Sequence, residues 1–160
     1  MPPPLLTETT ADGRLRFHFH PGQLRAWDSR KRFVLCLAGW QSGKSVIGPP
    51  WLYREMQQRG PGDYLVCSPS YPLMTKKVLP EFRRLFERQL QLGTYVGGSR
   101  NIFTFSEEGC HRTFGLIPDD LPRVHFAHAQ DPESLESATY LAAWLDEAGQ
   151  NKFRVASWEA

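Results

Sequence analysis

Short apolar runs rich in β-branched residues recur along the chain, separated by turns or by longer polar stretches. Such runs are typical of buried strands. The predicted strands are 32–38, 64–68, 102–105, 113–117, 123–129 and 140–148. The paired glycines within 94–101 predict an interruption of regular structure before the third of these strands.

A helical period is clearest over 72–91, where Val78, Phe82, Leu85 and Phe86 fall on one face. The basic residues of this stretch fall elsewhere and alternate with acidic ones. That alternation indicates a solvated face, with contact to a DNA backbone as the alternative.

Two further helices are predicted in the N-terminal half. One spans 21–29 and is opened by a proline. The other begins near Gly43 and continues through Met56. We expect a break or kink at Pro49 and Pro50, because a proline removes a helix hydrogen bond and clashes with the preceding turn.

Strands that alternate with helices predict an α/β fold with a mostly parallel sheet. A loop or helical turn over 131–137 precedes the last strand, and a helix is expected to begin near Asn151. Residues 1–20, which open with prolines and threonines, are expected to form a flexible arm. The remaining 21–160 make one domain, since 160 residues suit a single core.

Composition is that of an ordinary globular protein, with 41% hydrophobic and 22% charged residues. The N-terminus has no basic start followed by an apolar stretch, and no apolar run approaches the length of a membrane span, so we expect a cytoplasmic protein. Cys36, Cys67 and Cys110 are odd in number and widely spaced, which favours free thiols. A net charge of +2 is too small to indicate nucleic acid by itself.

The first predicted strand runs into a small polar loop that ends in Gly43-Lys44-Ser45. A glycine-bearing loop that leads into a helix aims several backbone N–H groups at one point, where the helix adds partial positive charge. A lysine there can reach terminal phosphates, and a hydroxyl can hold Mg²⁺. The spacing is that of the P-loop, or Walker A motif, with Ala38 where glycine is usual. The alternative is an ordinary turn whose lysine faces solvent.

The predicted phosphate-binding residues are Gly39, Trp40, Gln41, Ser42, Gly43, Lys44 and Ser45. Further along, a hydrophobic strand delivers Asp146 and Glu147 at its C-terminal end, where α/β sheets place their ligands. Asp146 suits a Mg²⁺ shell, and Glu147 suits orienting an attacking water, as in a Walker B strand. The alternative is an acidic pair at the surface. Trp144, in the same apolar pattern, is expected in the core.

Gln23 lies in the helix predicted just before the P-loop strand. Its amide offers a donor and an acceptor, which match N7 and N6 of adenine. The alternative is a surface glutamine, which composition alone would favour.

These elements, in this order, resemble the ATPase domain of the large terminase subunit, the DNA-packaging motor of tailed bacteriophages. The matching pieces are "HPGQLRAW", "LAGWQSGKS", "DPESLESAT" and "AAWLDEAGQ", and together they span nearly the whole chain. The resemblance implies a three-layer P-loop core that binds ATP and Mg²⁺. It implies that Lys44 and Ser45 bind phosphate, that Ser45 and Asp146 hold the metal, and that Lys44 and Glu147 are catalytic. Gln23 would contact adenine.

The resemblance further implies packaging of double-stranded DNA into a procapsid, in the cytoplasm of a bacterial host. The implied partners are DNA, a portal protein, a small terminase subunit and further copies of the chain in a ring. It also predicts a truncated domain that is incomplete at its C-terminus and lacks a nuclease domain. The alternatives are a helicase-like ATPase stimulated by nucleic acid, or a remnant that binds nucleotide without turnover.

The chain departs from the family at two positions. Trp40 stands where many members carry an arginine in the P-loop. Glu136 or Asp131, depending on the alignment, stands where many carry an arginine before the acidic strand. The sequence therefore leaves the charge-neutralising arginine unassigned.

Overall fold

A five-stranded mixed sheet, with helices packed against one face, forms the centre of the molecule. The computed structural model describes residues 7–12, 14–37, 39, 42–130, 139–151 and 153. The strands are β1 Thr7–Thr9, β2 Leu15–Phe17, β3 Asp63–Ser68, β4 Gly93–Val96, β5 Ile102–Phe105, β6 Arg123–His128 and β7 Ala143–Leu145. The helices are α1 Pro21–Asp28, α2 Lys44–Arg59, α3 over 71–89 and α4 Glu107–Phe114.

The strand order in the central sheet is β4-β5-β6-β3-β7. β3 is parallel to both β6 and β7, whereas β5 is antiparallel to both β4 and β6. The predicted α/β class is confirmed, and the sheet is mixed: β5 runs opposite to the other four strands. The predicted interruption over 94–101 is wrong, because β4 occupies its start. Gly97 and Gly98 lie in the short connection between β4 and β5, and a connection of that length joins antiparallel strands.

The strand predicted over 32–38 is not formed. Residues 33–37 have no regular structure, and Ala38 lies outside the described residues. The side chains of Phe33, Leu35 and Leu37 are 76–84% exposed. A strand exists only when its backbone pairs with a neighbour. None of the described strands pairs with this segment, although its composition favours a buried strand.

α2 continues through Pro49 and Pro50, so of the expected break or kink the break is wrong. Both proline rings are buried, which offsets part of the cost of the missing N–H groups. The residue before a proline is normally pushed out of the helical region, partly by a clash with its own Cβ. Gly48 precedes Pro49 and has no Cβ, so that clash does not arise.

The strand predicted over 113–117 is also wrong, because helix α4 covers its first two residues. Ser106 caps this helix, since its hydroxyl accepts the N–H of Gly109 at 3.0 Å. Glu107 and Glu108 follow in the first turn, where acidic side chains complement the helix dipole. Gly115 ends the helix in a left-handed conformation, with φ of 73°.

The segment predicted as a flexible arm contains an antiparallel hairpin of β1 and β2. The Thr7 hydroxyl exchanges hydrogen bonds with the Gln89 amide at the end of α3. Phe17 packs against the main core. Residues 7–9 and 15–17 are thus attached to the domain that was expected to begin at residue 21.

The helix predicted over 72–91 is confirmed as α3, and its predicted apolar face is buried. Phe82 and Phe86 stack at 4.1 Å between ring centroids, and Phe82 meets Phe103 of β5 and Phe126 of β6 edge to face. Two stretches, Met74–Val78 and Arg84–Gln89, are wound as π-helix.

The charged face of α3 pairs internally, as its solvated-face interpretation predicts. Arg83 pairs with Glu87, and Arg84 pairs with Glu81. Within the described part of the chain, no helix combines the length and hydropathy needed to cross a membrane. The loop predicted over 131–137 and most of the helix expected from Asn151 lie outside the described residues.

Candidate functional site

Two side chains at the start of α1 hold the glycine-lysine-serine loop. The Nδ1 atom of His20 accepts the Gly22 N–H at 3.0 Å, so Nε2 carries the ring proton and donates it to the Ser42 carbonyl at 2.9 Å. The buried Gln23 accepts the His20 N–H and donates to the Gly43 carbonyl, both at 3.1 Å. Two successive loop carbonyls are therefore turned toward α1.

The opposite side of the loop presents backbone donors. In a trans peptide the N–H points away from the preceding carbonyl, so the N–H groups of Gly43 and Lys44 point away from α1. The amides of Lys44, Ser45 and Val46 begin α2 and have no acceptor within the helix. Their donors and the positive end of the helix dipole favour an anion on this side.

Gly43 is required at its position on two counts. Its φ of 73° lies in the left-handed region, which residues other than glycine rarely adopt. A Cβ at this position would also lie 2.6 Å from Nε2 of Gln23. The motif glycine thus permits both the turn and the close approach of the glutamine that holds it.

Two polar side chains of the loop, Lys44 and Ser42, line a cleft between α1 and the start of α2. The ammonium of Lys44 donates to the Gly39 carbonyl at 3.2 Å, which folds the lysine back over the loop. The Ser42 hydroxyl is buried and has no hydrogen-bond partner among the described residues. A buried hydroxyl without a partner is costly, so a polar ligand in this loop would satisfy it.

The contact between α2 and β7 brings Asp146, at the end of β7, close to the glycine-lysine-serine loop. A Cβ on Gly48 would lie 2.0–2.5 Å from atoms of the Trp144 indole, so only glycine leaves room for that ring. Trp144 is 7% exposed, which confirms its predicted place in the core. Side chains alternate along a strand, so Asp146 faces α2 as Trp144 does.

The Ser45 hydroxyl lies close enough to the carboxyl group of Asp146 to lower its pKa. The backbone N–H of Asp146 donates to the Cys67 carbonyl at 2.9 Å, which extends the pairing of β7 with β3 by one residue. The structure therefore joins two predicted site residues that lie 101 positions apart, at the C-terminal edge of the parallel strands.

Burial raises the pKa of Asp146 above its ordinary value, and the neighbouring Glu147 adds to this effect. The nearby Ser45 hydroxyl and the charges of Lys77 and Lys44 lower this pKa and offset only part of the increase. Ionisation of Asp146 is therefore less favourable in the folded protein without a ligand than in water. A cation bound beside it would remove that cost.

Replacing Asp146 by asparagine should raise the melting temperature of the ligand-free protein at neutral pH. The folded-state pKa is raised, so ionisation of Asp146 costs stability, and this cost appears as the pH rises through that pKa. The advantage of Asp146→Asn should therefore shrink at pH values near or below about 4, the ordinary pKa of an aspartate. Calorimetric melting across this pH range is the measurement, and an advantage that does not change with pH would contradict the account.

Glu147 has an unusual backbone conformation. Its φ of 53° places a residue other than glycine in the left-handed region, at a cost of about 1–3 kcal/mol. Its carbonyl accepts the N–H of Gln150 at 3.1 Å, which closes a turn directly after β7. The chain thus changes direction between Asp146 and Glu147, and strain of this kind is concentrated at functional sites.

A cleft of about 720 Å³ opens beside the loop. Its walls are the start of α1, the segment 33–37 and the beginning of α2, and Gln23, Cys36 and Lys44 line it. Its volume lies in the range of sites for small molecules and cofactors. Gln23 uses one donor and one acceptor to hold the loop, and its second N–H and second lone pair remain for the predicted contact with a base.

The residues present fit a Mg²⁺-nucleotide. Mg²⁺ is usually held by one or two carboxylates together with phosphate oxygens and waters. Asp146 and the Ser45 hydroxyl supply oxygens of the right kind, next to a loop whose N–H groups suit phosphate. Among the described residues, no group of three or more histidine, cysteine or acidic side chains could hold a metal by itself.

Two predicted site residues, Trp40 and Gln41, lie outside the described residues. Sequence reasoning missed His20, which holds the loop through the Ser42 carbonyl. The available signal was a polar residue directly before a proline-opened helix, a position at which capping side chains occur. The ring fills that role by accepting the Gly22 N–H.

Comparisons of the chain with known protein families, curated proteins and solved structures find no match. A function for this chain therefore has to be inferred from its own residues and their geometry.

Proposed function

We propose that this chain is a P-loop ATPase core of the large-terminase type, whose hydrolysis of ATP drives the packaging of double-stranded DNA. The observation that carries the proposal is the packing of α2 against β7, which brings Ser45 close enough to Asp146 to lower the pKa of that carboxyl group. It joins the last residue of the predicted phosphate loop to the first acid of the strand-end pair. An unrelated surface turn and an unrelated acidic pair would have no reason to meet.

In the proposed mechanism, the N–H groups at the start of α2 and the ammonium of Lys44 bind the phosphates. Ser45 and Asp146 would hold Mg²⁺, and the ion would supply positive charge to offset the charge that develops on the phosphoryl oxygens. Glu147 follows the metal-binding acid and lies just beyond the strand. It orients the attacking water and accepts its proton.

The sequence resemblance supports a terminase over a helicase-like ATPase. The glutamine before the loop and the "PESLESAT" segment before the acidic strand accompany the two shared ATPase motifs. The proposed partners are DNA, a portal protein, a small terminase subunit and further copies of the chain.

A second candidate is a chain that binds nucleotide without turnover. The unpaired segment 33–37 favours it, because the residues that lead into the loop are not fixed by a sheet. Precise placement of the phosphate against the water is worth several powers of ten in rate. A loop attached to an unpaired segment would position them less well.

We expect the chain to hydrolyse ATP slowly, with a rate per chain that rises with protein concentration and with double-stranded DNA. Replacing Glu147 by glutamine should lower turnover by about 10²–10⁴-fold, the contribution of a positioned general base. Affinity for Mg-ATP should be nearly unchanged, because this carboxylate acts on water and not on phosphate. Phosphate release measures turnover, and equilibrium titration measures affinity.

Glu107→Gln is the matched control, since Glu107 is an exposed glutamate at the start of α4. Equal turnover in wild type and Glu147→Gln would overturn the catalytic assignment. Binding of Mg-ATP without turnover, with or without DNA, would establish the second candidate instead.

A further inference from the structure

The glycine-lysine-serine loop is supported from the side of α1. Residues 33–37, which lead toward the loop, have no regular structure and pair with none of the described strands. Two side chains at the start of α1, His20 and Gln23, donate hydrogen bonds to the loop carbonyls of Ser42 and Gly43. In this chain a helix therefore gives the loop the support that was expected from a preceding strand.

Helix α1 is itself fixed at its far end. The ring of Trp27 lies 5.6 Å from that of Phe17 and 5.0 Å from that of Phe19, measured between ring centroids. On α2, the guanidinium of Arg54 lies 5.2 Å from the centroid of the same indole, at a distance typical of a cation–π contact. These contacts attach α1 to the segment that includes β2 and to α2, so α1 is a firm support for the loop.

Both ring nitrogens of His20 form hydrogen bonds. Nδ1 accepts the N–H of Gly22 at 3.0 Å and caps α1, so the ring proton is on Nε2, which donates it to the Ser42 carbonyl at 2.9 Å. A Cβ on Gly22 would lie 2.9 Å from Cε1 of this ring, so the ring lies directly against the first turn of the helix. Rotation of the ring would break both hydrogen bonds, and the cap therefore fixes the position of Nε2.

The peptide group between Ser42 and Gly43 is weakly restrained by the chain itself. Gly43 has a φ of 73°, and glycine adopts positive and negative φ about equally readily. This peptide group can therefore turn over, which exchanges the positions of the Ser42 carbonyl and the Gly43 N–H. The carbonyl oxygen would then face the side on which α2 presents its N–H groups, and it would repel an anion there. The hydrogen bond from His20 selects the other form, with the Gly43 N–H on that side.

We propose that His20 is a positioning residue of the nucleotide site, whose Nε2–H keeps the Gly43 N–H turned toward the phosphates before a nucleotide binds. The inference rests on the proposed nucleotide site, and it assigns to His20 a role that is separate from capping α1. Because His20 acts on the phosphate loop and not on a base, its loss should weaken adenine and guanine nucleotides by the same factor.

Two substitutions in the full chain separate the two hydrogen bonds of His20. In His20→Asn the amide oxygen can still cap α1, since asparagine is a favoured N-cap residue, but the side chain is too short to reach the Ser42 carbonyl. In His20→Gln the longer side chain can donate an amide N–H to that carbonyl, whereas the cap is weakened. His18→Asn is the matched control, since His18 is a histidine two residues away that pairs with Glu8.

Each variant is titrated with Mg-ATP and with Mg-GTP, and its melting temperature is measured without nucleotide. His20→Asn should weaken both nucleotides by about three- to tenfold, as expected for the loss of one hydrogen bond, and should melt as wild type does. His20→Gln should keep nearly the wild-type affinities and should melt at a lower temperature. His18→Asn should keep both affinities.

Four results would count against the inference. If His20→Asn binds both nucleotides as wild type does while Lys44→Ala does not, His20 does not position the loop, and the nucleotide site stands. If His20→Asn weakens ATP alone, His20 acts on the base. If both variants lose affinity in proportion to their loss of melting temperature, His20 only stabilises the fold. If the wild-type chain binds neither nucleotide, the proposed function fails, and the inference fails with it.

Discussion

Replacing Gly48 by alanine should lower stability by about 1–3 kcal/mol, the usual cost of forcing an extra group into a packed core. The new Cβ would lie 2.0 Å from Cε2 and 2.2 Å from Cζ2 of Trp144, and this buried ring cannot move aside cheaply. The better helix propensity of alanine, worth about 1 kcal/mol, is too small to compensate for a strong clash. Thermal or denaturant unfolding measures the loss.

The same substitution should weaken nucleotide binding, because the contact of Gly48 with Trp144 holds Asp146 beside Ser45. Gly149→Ala is the control, since a Cβ there meets nothing within 4 Å. Adding Trp144→Leu to Gly48→Ala removes the clash, so the two changes together should cost less than the sum of their separate costs. Additive losses, or an undiminished stability of Gly48→Ala, would contradict the packing that the structure assigns to α2 and β7.

Replacing Lys44 by alanine should abolish most of the stabilisation that Mg-ATP provides. A ligand that binds only the folded protein stabilises it by about 2.7 kcal/mol at a hundred times its Kd, so the wild-type melting temperature should rise by several degrees. Removal of the ammonium takes away the positive charge that faces the phosphates. The ligand-free protein should change little, because the bond from Lys44 to the Gly39 carbonyl is exposed.

The exposed Lys31 provides the control, since Lys31→Ala changes the net charge equally and Lys31 is not part of the predicted phosphate loop. A full ATP-induced shift in Lys44→Ala would show that Gly43-Lys44-Ser45 does not bind phosphate.

Elements whose signal is local were predicted well from the sequence. β3 is a nearly continuous apolar run that is buried from Tyr64 to Ser68. β6 is interrupted by His125 and buries Val124, Phe126 and Ala127. α3 repeats its apolar residues with the period of a helix. The position of Asp146 beside the end of β3 also follows a general rule, because the C-terminal ends of parallel strands share one edge of the sheet. The position of Ser45 near it does not follow from that rule, because the strand predicted before the loop is not formed.

Two predicted strands are not formed, for different reasons. One prediction depends on distant residues, and the other gave too little weight to local helix signals. The segment 33–37 has the composition of a strand, but composition cannot show whether a neighbouring strand will pair with it. In α4, the cap at Ser106 and the left-handed Gly115 are local helix signals. They were outweighed by the apolar character of 113–117.

The continuity of helix α2 could not be predicted from the neighbouring sequence either. Pro49 and Pro50 are tolerated because their rings are buried and because Gly48 before them has no Cβ. That burial depends on parts of the chain that are distant in sequence. His20 and Gln23 donate hydrogen bonds to the loop carbonyls of Ser42 and Gly43. These contacts join parts of the chain about 20 residues apart, so they too depend on the folded structure.

The central claim is that the loop at the start of α2 and the carboxylate of Asp146 together bind a Mg²⁺-nucleotide. Calorimetric titration of the 160-residue chain with ATP, once with Mg²⁺ and once with EDTA, tests it most directly. We expect one ATP to bind per chain. The affinity for ATP should fall at least about tenfold when the metal is removed, since the charge-assisted interaction between Mg²⁺ and Asp146 is lost. Absence of binding, or an affinity that is the same with and without Mg²⁺, would contradict it.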